Sequence, residues 1–393
     1  MKPEMGGDGD RKIQQAVVSM VAVALCLAAG ALQFYPPALD LLLKTEHWTA
    51  DWRTAFLSDR ISHWHDDIVV VVFNSDSLAG LPSALTVPRD LNGKVIRAID
   101  SAGPRAIGLD FYFVHPTQPE TDRSFLELLR DAKAPVVLGA ANESADQFRD
   151  FQLAYQRSFT AGSGREVGYI NLRHDRDDIV RFTSTPIPNS AYPESLAVRL
   201  ALLSGSKSTT RPASSPPRRI AWLLGEPLNQ QPFRMIPAHN LLADPSDAGF
   251  KDLQAQLAGK IVLVGIDLPY IDRHRTPLSI RTGEAMLGVT VHAQVLAQLL
   301  DGRELHDLSA TEDRIVEAIA ASIGLLLGWH FWQRRVNFLS LGAATAVLVA
   351  IDAASFYFLR TVLPLTLVLY VWIIAVTAGH HLRQLWARSA LSH

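Results

Sequence analysis

Four apolar segments limit the folds open to this chain more than any other feature. Ala16–Tyr35 is apolar apart from Ser19 and Gln33, and Ile315–Trp332, Phe338–Leu359 and Val362–Gly379 close the sequence. Each approaches the roughly 20 apolar residues that carry a helix across a hydrocarbon core. In lipid only a helix or a closed barrel satisfies its own backbone. Transmembrane helices are therefore expected at 16–35, 315–332, 338–359 and 362–379. Lys2, Arg11 and Lys12 precede the first, Arg334 and Arg335 lie between the second and third, and Arg383 and Arg388 follow the last. Cationic loops stay cytoplasmic, so residues 1–15 and the tail 380–393 are expected inside, with Arg360 the one exception. Residues 36–313 then lie outside the membrane. Ala29-Gly30-Ala31 offers a competing reading as a signal-peptidase site, but an uncleaved anchor fits better.

Composition narrows the partners. Net charge is −2, which gives no phosphate-binding surface, so nucleic acid is excluded. Charged residues are only 19% of the chain, against about 25% in an ordinary soluble domain. Cys26 is the single cysteine and sits in an apolar run after Leu25, so neither a disulfide framework, a thiolate metal site nor a lipidated cysteine is expected. Asp352 falls within the third span. An intramembrane carboxylate is a functional candidate by default, and its plainest partner is a hydroxyl at similar depth on the next helix, such as Thr366.

Between the spans the texture is α/β. Ile68–Phe73 and Ile261–Ile266 are short β-branched runs of the kind that parallel sheets bury on both faces. Further strands are expected at Ala106–Leu109 and Val136–Leu138. Helices are expected around Leu91, Val95 and Ile99, around Phe125–Leu129, and along Val291, Val295, Leu299 and Leu300. This alternation predicts a mainly parallel, doubly wound sheet with Asp76, Asp110 and Asp267 along its carboxyl edge, where open α/β sheets bind ligands. From Gly168 onward a hairpin turning at Asp175–Asp178 and a pair formed by Ile220–Leu224 and Phe233–Ile236 predict an antiparallel extension. Ser204–Arg219 reads as a surface insertion. After the first span, Leu41, Trp48, Trp52 and Ala55 form one stripe of a helix with a packed face. The helices at Ala38–Phe56 and Glu312–Trp332 are the candidate coupling elements.

Taken together, the stretches between the spans resemble the CHASE domain of type 2, a sensory module found outside the membrane in bacterial receptors. The resemblance rests on Asp51-Trp52-Arg53, the segment Ile68–Leu78, Val87-Pro88-Arg89, Gly103–Phe113, and Gly168–Leu172 with Asp175 and Arg181. It continues through Ser195-Leu196-Ala197, Gly259–Gly265, Asp272-Arg273, Thr276-Pro277 and Gly288–Leu296, covering nearly all of residues 50 to 303. The chain departs from the family pattern at Asn74, where an Asp is usual, at the shortened Val87-Pro88 run, and at Asp177-Asp178. These departures put a shared ligand in doubt. The resemblance implies a multi-pass protein of the bacterial inner membrane with a periplasmic domain. It would act as a homodimer or through a separate membrane or cytoplasmic signalling partner. His380–His393 is too short to bury a core, so no output domain of its own is expected.

The candidate ligand-binding residues are Asn74, Asp76, Arg89, Asp110, Asp272, Arg273 and His292, with Asp352 in the membrane, and the ligand is an unidentified small molecule. A cation held by Asp76, Asp110, Asp272, His274 and His292 is the sharper alternative. The plainer one has Asp110 and Asp272 capping turns or pairing with Arg89 and Arg273. No ligand spacing is diagnostic, so no metal and no cofactor is assigned. No nucleophile elbow and no His-Glu-x-x-His occurs, and Ser204-Gly205-Ser206-Lys207 lacks partner motifs, so no catalytic residue is named. The leading expectation is a non-enzymatic membrane-anchored sensor. The alternative is a non-sensing structural subunit of a membrane complex.

Overall fold

Val69, Val70, Val71 and Val72 follow one another in a single strand, and a strand points successive side chains to opposite faces. Such a strand needs apolar cover on both sides, and that requirement sets the architecture. The computed structural model describes residues 36–80, 87–142, 145, 147–206, 217–227, 230–243, 248–330 and 334–391. The span expected at 16–35 lies outside these residues, as do positions 207–216 of the surface insertion and positions 331–333. Two compact units divide the chain. One is Ser58–Leu305; the other joins the helix ending at Leu57 to the chain from His306 onward.

The described residues open with α1 (Pro36–Leu57) and then alternate. β1 (Ile68–Asn74), α2 (Arg89–Ser101), β2 (Ala106–Leu109), α3 (Pro119–Asp131), β3 (Val136–Ala140), α4 (Asp150–Ser163) and β4 (Glu166–Tyr169) come first. α5 (Leu196–Leu203), β5 (Arg234–Pro237), α6 (Ala248–Leu257), β6 (Ile261–Asp267) and α7 (Gly288–Asp301) complete the first unit. The six strands form one sheet in the order β4-β3-β2-β6-β1-β5, and every neighbouring pair is parallel. β6, the last of these six in sequence, is thus inserted between β1 and β2. Ile68, Val70 and Val72 face a core with Leu196, Leu200, Val291 and Leu296 from α5 and α7. Val69, Val71 and Phe73 face another core with Val95, Ile99, Phe125 and Leu129 from α2 and α3. The α/β class is as the sequence predicts.

The antiparallel extension is much smaller than expected. Leu223–Gly225 pairs in parallel with Asp59–Ile61, and β5 lies parallel to β1 at the sheet edge. Among the described residues antiparallel pairing is confined to Arg273–His274 against Met286–Leu287 and a bridge from Phe182 to Arg219. Side chains replace the missing ladder. Gln294, fully buried on α7, accepts from the Leu223 N–H (2.8 Å) and donates to its carbonyl (2.8 Å). One turn on, Gln298 does the same for the Ala221 N–H (3.1 Å) and the Arg219 carbonyl (3.1 Å). Close helix–sheet approach requires Gly265, where a Cβ would stand 2.5 Å from that of Val289.

The second unit contains α1, α8 (Ala310–His330), α9 (Arg334–Leu359) and α10 (Leu365–Leu391). Among the described residues two helices, Leu341–Leu359 and Leu365–Ala387, are long and apolar enough to cross a membrane. The expected span at 315–332 falls on α8, which does not meet that measure; Asp313, Arg314 and Glu317 occupy its first turns. It packs on α10 through small residues. A Cβ at Gly328 would stand 2.1 Å from the Val376 carbonyl oxygen, and one at Gly379 would stand 2.3 Å from that of Leu325. Such close backbone approach is typical of helices in lipid.

Candidate functional site

β6 ends at Asp267 beside Asn74 of β1, and the chain turns back over the sheet's carboxyl edge. Tyr270 (φ 63) and Asp272 (φ 50) take left-handed backbone to make that turn, a conformation that aspartate accepts more readily than most residues. The Asp272 carbonyl accepts from the Gly288 N–H at 2.9 Å. Its carboxylate packs so closely on Gly288 that a Cβ there would lie 2.2 Å from Oδ2. Gly288 is the first residue of α7, so Asp272 fills the place at a helix N-terminus where negative charge is stabilised.

From Asp272 a chain of imidazoles leads outward. His274 Nε2 lies 2.9 Å from Asp272 Oδ1, and His274 Nδ1 lies 3.0 Å from His174 Nε2. Burial, then the neighbouring His274, pulls the His174 imidazole below its ordinary value. Inward lies Asp110, the residue after β2, whose N–H donates to the Val264 carbonyl at 2.8 Å. It is 8% exposed. Oδ1 stands 3.7 Å from Nε2 of His292, itself 4% exposed on the second turn of α7. Asp110 Oδ2 has no hydrogen-bond partner among the described residues. Burial, and then the Asp272 charge, hold the Asp110 carboxyl well above the usual carboxylate range. Burial pulls His292 down to about 4, against the opposing effects of Asp272 and a hydrogen bond to the Ile170 backbone. Burial favours the uncharged form of each, the expected direction when charge must leave water. The Tyr112 phenol is raised by burial and then by the Asp110 and Asp272 carboxyls. Its ring meets Phe148 edge-on at 5.0 Å.

The other candidates lie elsewhere or are already engaged. Asn74 Oδ1 accepts from the Ser77 N–H (2.9 Å) and hydroxyl (2.8 Å), closing a turn after β1, and Asp76 in that turn is exposed. Arg89 is buried and pairs with Asp122, not Asp110. It also donates to Tyr155 Oη (3.1 Å) and the His115 carbonyl (2.7 Å), and stacks over Phe159. Arg273 donates to Asp267 at 2.6 Å instead of pairing with Asp272. The acidic turn is locked by buried Arg181, which reaches Asp175 (2.9 Å) and Asp177 (2.6 Å). Asp110, Asp272 and His292 therefore come together, joined by His274; Asn74, Asp76, Arg89 and Arg273 do not. Among the described residues no group of three His, Cys, Asp or Glu is placed to hold a metal ion. Sequence reasoning missed Tyr112 and His174, for which spacing along the chain offers no signal.

In the helical unit Asp352 pairs with Arg53 of α1 rather than with a hydroxyl. Arg53 also donates to the Leu363 carbonyl (2.9 Å) and to Glu46 Oε1 (3.3 Å). Glu46 Oε2 accepts the Thr366 N–H (2.8 Å) in the first turn of α10. The packed face of α1 is thus polar, with Asp51, Arg53 and Thr54 buried beside Ala50 and Ala55. Of the expected stripe only Ala55 is buried; Leu41, Trp48 and Trp52 are exposed. Nearby, His306–Asp307 pairs in parallel with Thr361–Val362 in the connection between α9 and α10.

These features define a class: a parallel α/β domain with a polar cluster at its sheet's carboxyl edge, in a chain that also holds two helices long enough to cross a membrane. Comparison with known families makes the class specific. Residues 19–330 match the CHASE2 domain, and the chain belongs to that family. Membership points to an extracellular sensory domain. No curated protein and no solved structure matches the chain.

Proposed function

We propose that this chain is a membrane-anchored sensory protein. Its Ser58–Leu305 domain lies outside the bacterial inner membrane, and a signalling partner reads its state. The family match over residues 19–330 carries the reading. In the proposed arrangement four spans, at 16–35, 315–332, 338–359 and 362–379, hold the domain outside with both termini cytoplasmic. The outward-facing Leu41, Trp48, Trp52 and Phe56 on α1, with ionic groups inside, suit a helix lying against lipid. The sensory site is the cluster of Asp110, Asp272, His274 and His292, assigned here to ligand binding and not to catalysis. A signal requires an element with two states that the ligand biases. The polar joint of Arg53, Glu46, Asp352 and the Thr361–Val362 connection is our candidate for it. Both segments flanking the domain, α1 and His306–Asp307, are bonded to the α9–α10 hairpin.

Purification of the tagged full-length chain in mild detergent, with mass spectrometry of what stays bound, tests the partner. Reproducible recovery of a cytoplasmic enzyme or regulator is expected. Recovery of the chain with envelope components only would instead favour a structural subunit of a membrane complex.

A further inference from the structure

Asp110 raises a specific question of ligand chemistry, which rests on the reading of this edge as the sensory site. A buried carboxyl oxygen without a partner is destabilising, and Asp110 Oδ2 is one. Asp272 stands beside it with its side chain 35% exposed, open to solvent. Among the described residues no lysine or arginine pairs with either carboxyl. The two arginines expected as their partners, Arg89 and Arg273, are committed to Asp122 and Asp267. The helix N-terminus that might have drawn an anion is already filled by Asp272. Tyr112 and Phe148 add aromatic surface, with the Tyr112 hydroxyl in electrostatic reach of both carboxyls. Two carboxyls, an aromatic pair and no resident cation are the chemistry that recognises an organic ammonium group. A divalent metal is not favoured, because the acidic and imidazole groups do not converge as a ligand set.

We propose that the carboxyl edge between Asp110 and Asp272 binds a small primary alkylammonium group. Asp272 meets it from the solvent side and Asp110 forms the floor. The free site holds Asp110 as the neutral acid. Binding converts Asp110–COOH and R–NH3⁺ into a carboxylate–ammonium pair and releases one proton to solvent, so charge and protons balance.

Calorimetric titration of the full-length protein in detergent with ethylammonium chloride tests this, in two buffers of different ionisation enthalpy. The expected result is binding with release of close to one proton. Affinity should rise about tenfold per pH unit while Asp110 is protonated in the free protein. Asp110→Asn keeps a neutral group of the same shape and should fold, yet lose binding at least tenfold. Phe148→Leu alters no charge and should weaken binding several-fold. Four results overturn the proposal: no ethylammonium binding at millimolar concentration, binding without proton release, binding unchanged in Asp110→Asn, or preferential binding of butyrate. The sensory reading stands or falls separately, on which side of the membrane the domain occupies, and that measurement needs no amine.

Discussion

At the scale of single residues the Asp110–His292 pair makes opposite demands on pH. The folded protein keeps a proton on Asp110 that the unfolded chain gives up above about 3.9. That group's contribution is present at low pH and is lost as pH rises through its elevated value. His292 does the reverse. The unfolded chain takes up a proton near 6.5 while the folded imidazole resists until about 4, so stability is lost as pH falls across that window. The opposed slopes mask each other in the natural protein. Asp110→Asn should expose the histidine, with stability falling more steeply than the natural chain's as pH drops from 6.5 toward 4. His292→Asn should expose the carboxyl, with stability relative to the natural chain rising on acidification from pH 6.5 to 4 by on the order of 3 kcal/mol. Thermal unfolding of both variants across pH checks the signs, and equal slopes would contradict the assignment. Arg89 has a structural consequence instead. Arg89→Met strands Asp122 and should cost on the order of 3 kcal/mol, read as a lowered Tm at neutral pH.

At the scale of elements, what the sequence made legible followed apolar continuity. β1, β2, β3 and β6 lie where the apolar runs stand; α2 buries the expected Val95 and Ile99 with Leu91 half-buried, while α7 is buried on every side from Gly288 to Gln298 and leaves the expected Leu299 and Leu300 half-buried. β5 escaped because Arg234–Pro237 is short, half-buried and at a sheet edge, where nothing in its pattern separates parallel from antiparallel pairing. α1 was inverted for a different reason: the face it buries is polar, with Asp51, Arg53 and Thr54 inside. Its buried polar residues answer partners distant in sequence, and Arg53 meets Asp352 at a separation of 299 residues. The same distance hides Arg53 as the partner of Asp352; the Thr366 hydroxyl lies 3.4 Å from that of Thr49, and its N–H donates to Glu46. Among the candidate ligand residues, Asp110, Asp272 and His292 were legible as polar groups at strand ends or a helix start. Arg89 and Arg273 were equally plausible by that rule, and only three-dimensional pairing removes them. Two glycines test the packing directly. Gly328→Leu should separate α8 from α10 and lower the yield of folded protein from membranes, because the Val376 carbonyl leaves no room for a Cβ. Gly265→Ala should push α7 off the sheet at Val289 and lower Tm by several degrees, displacing His292 with it. A folded yield or Tm equal to that of the natural protein would show that these contacts are looser than described.

For the whole molecule, the account depends on the membrane lying between the sensory domain and its partner. The family match places a sensory domain in the chain, and α9 and α10 are long enough to span a bilayer. Tyr270, fully exposed in the turn beside Asp272, gives the probe position. With Cys26→Ser removing the single native thiol, Tyr270→Cys should react in intact spheroplasts with a membrane-impermeant maleimide. Labelling only after the membrane is permeabilised would put the domain in the cytoplasm and contradict the account.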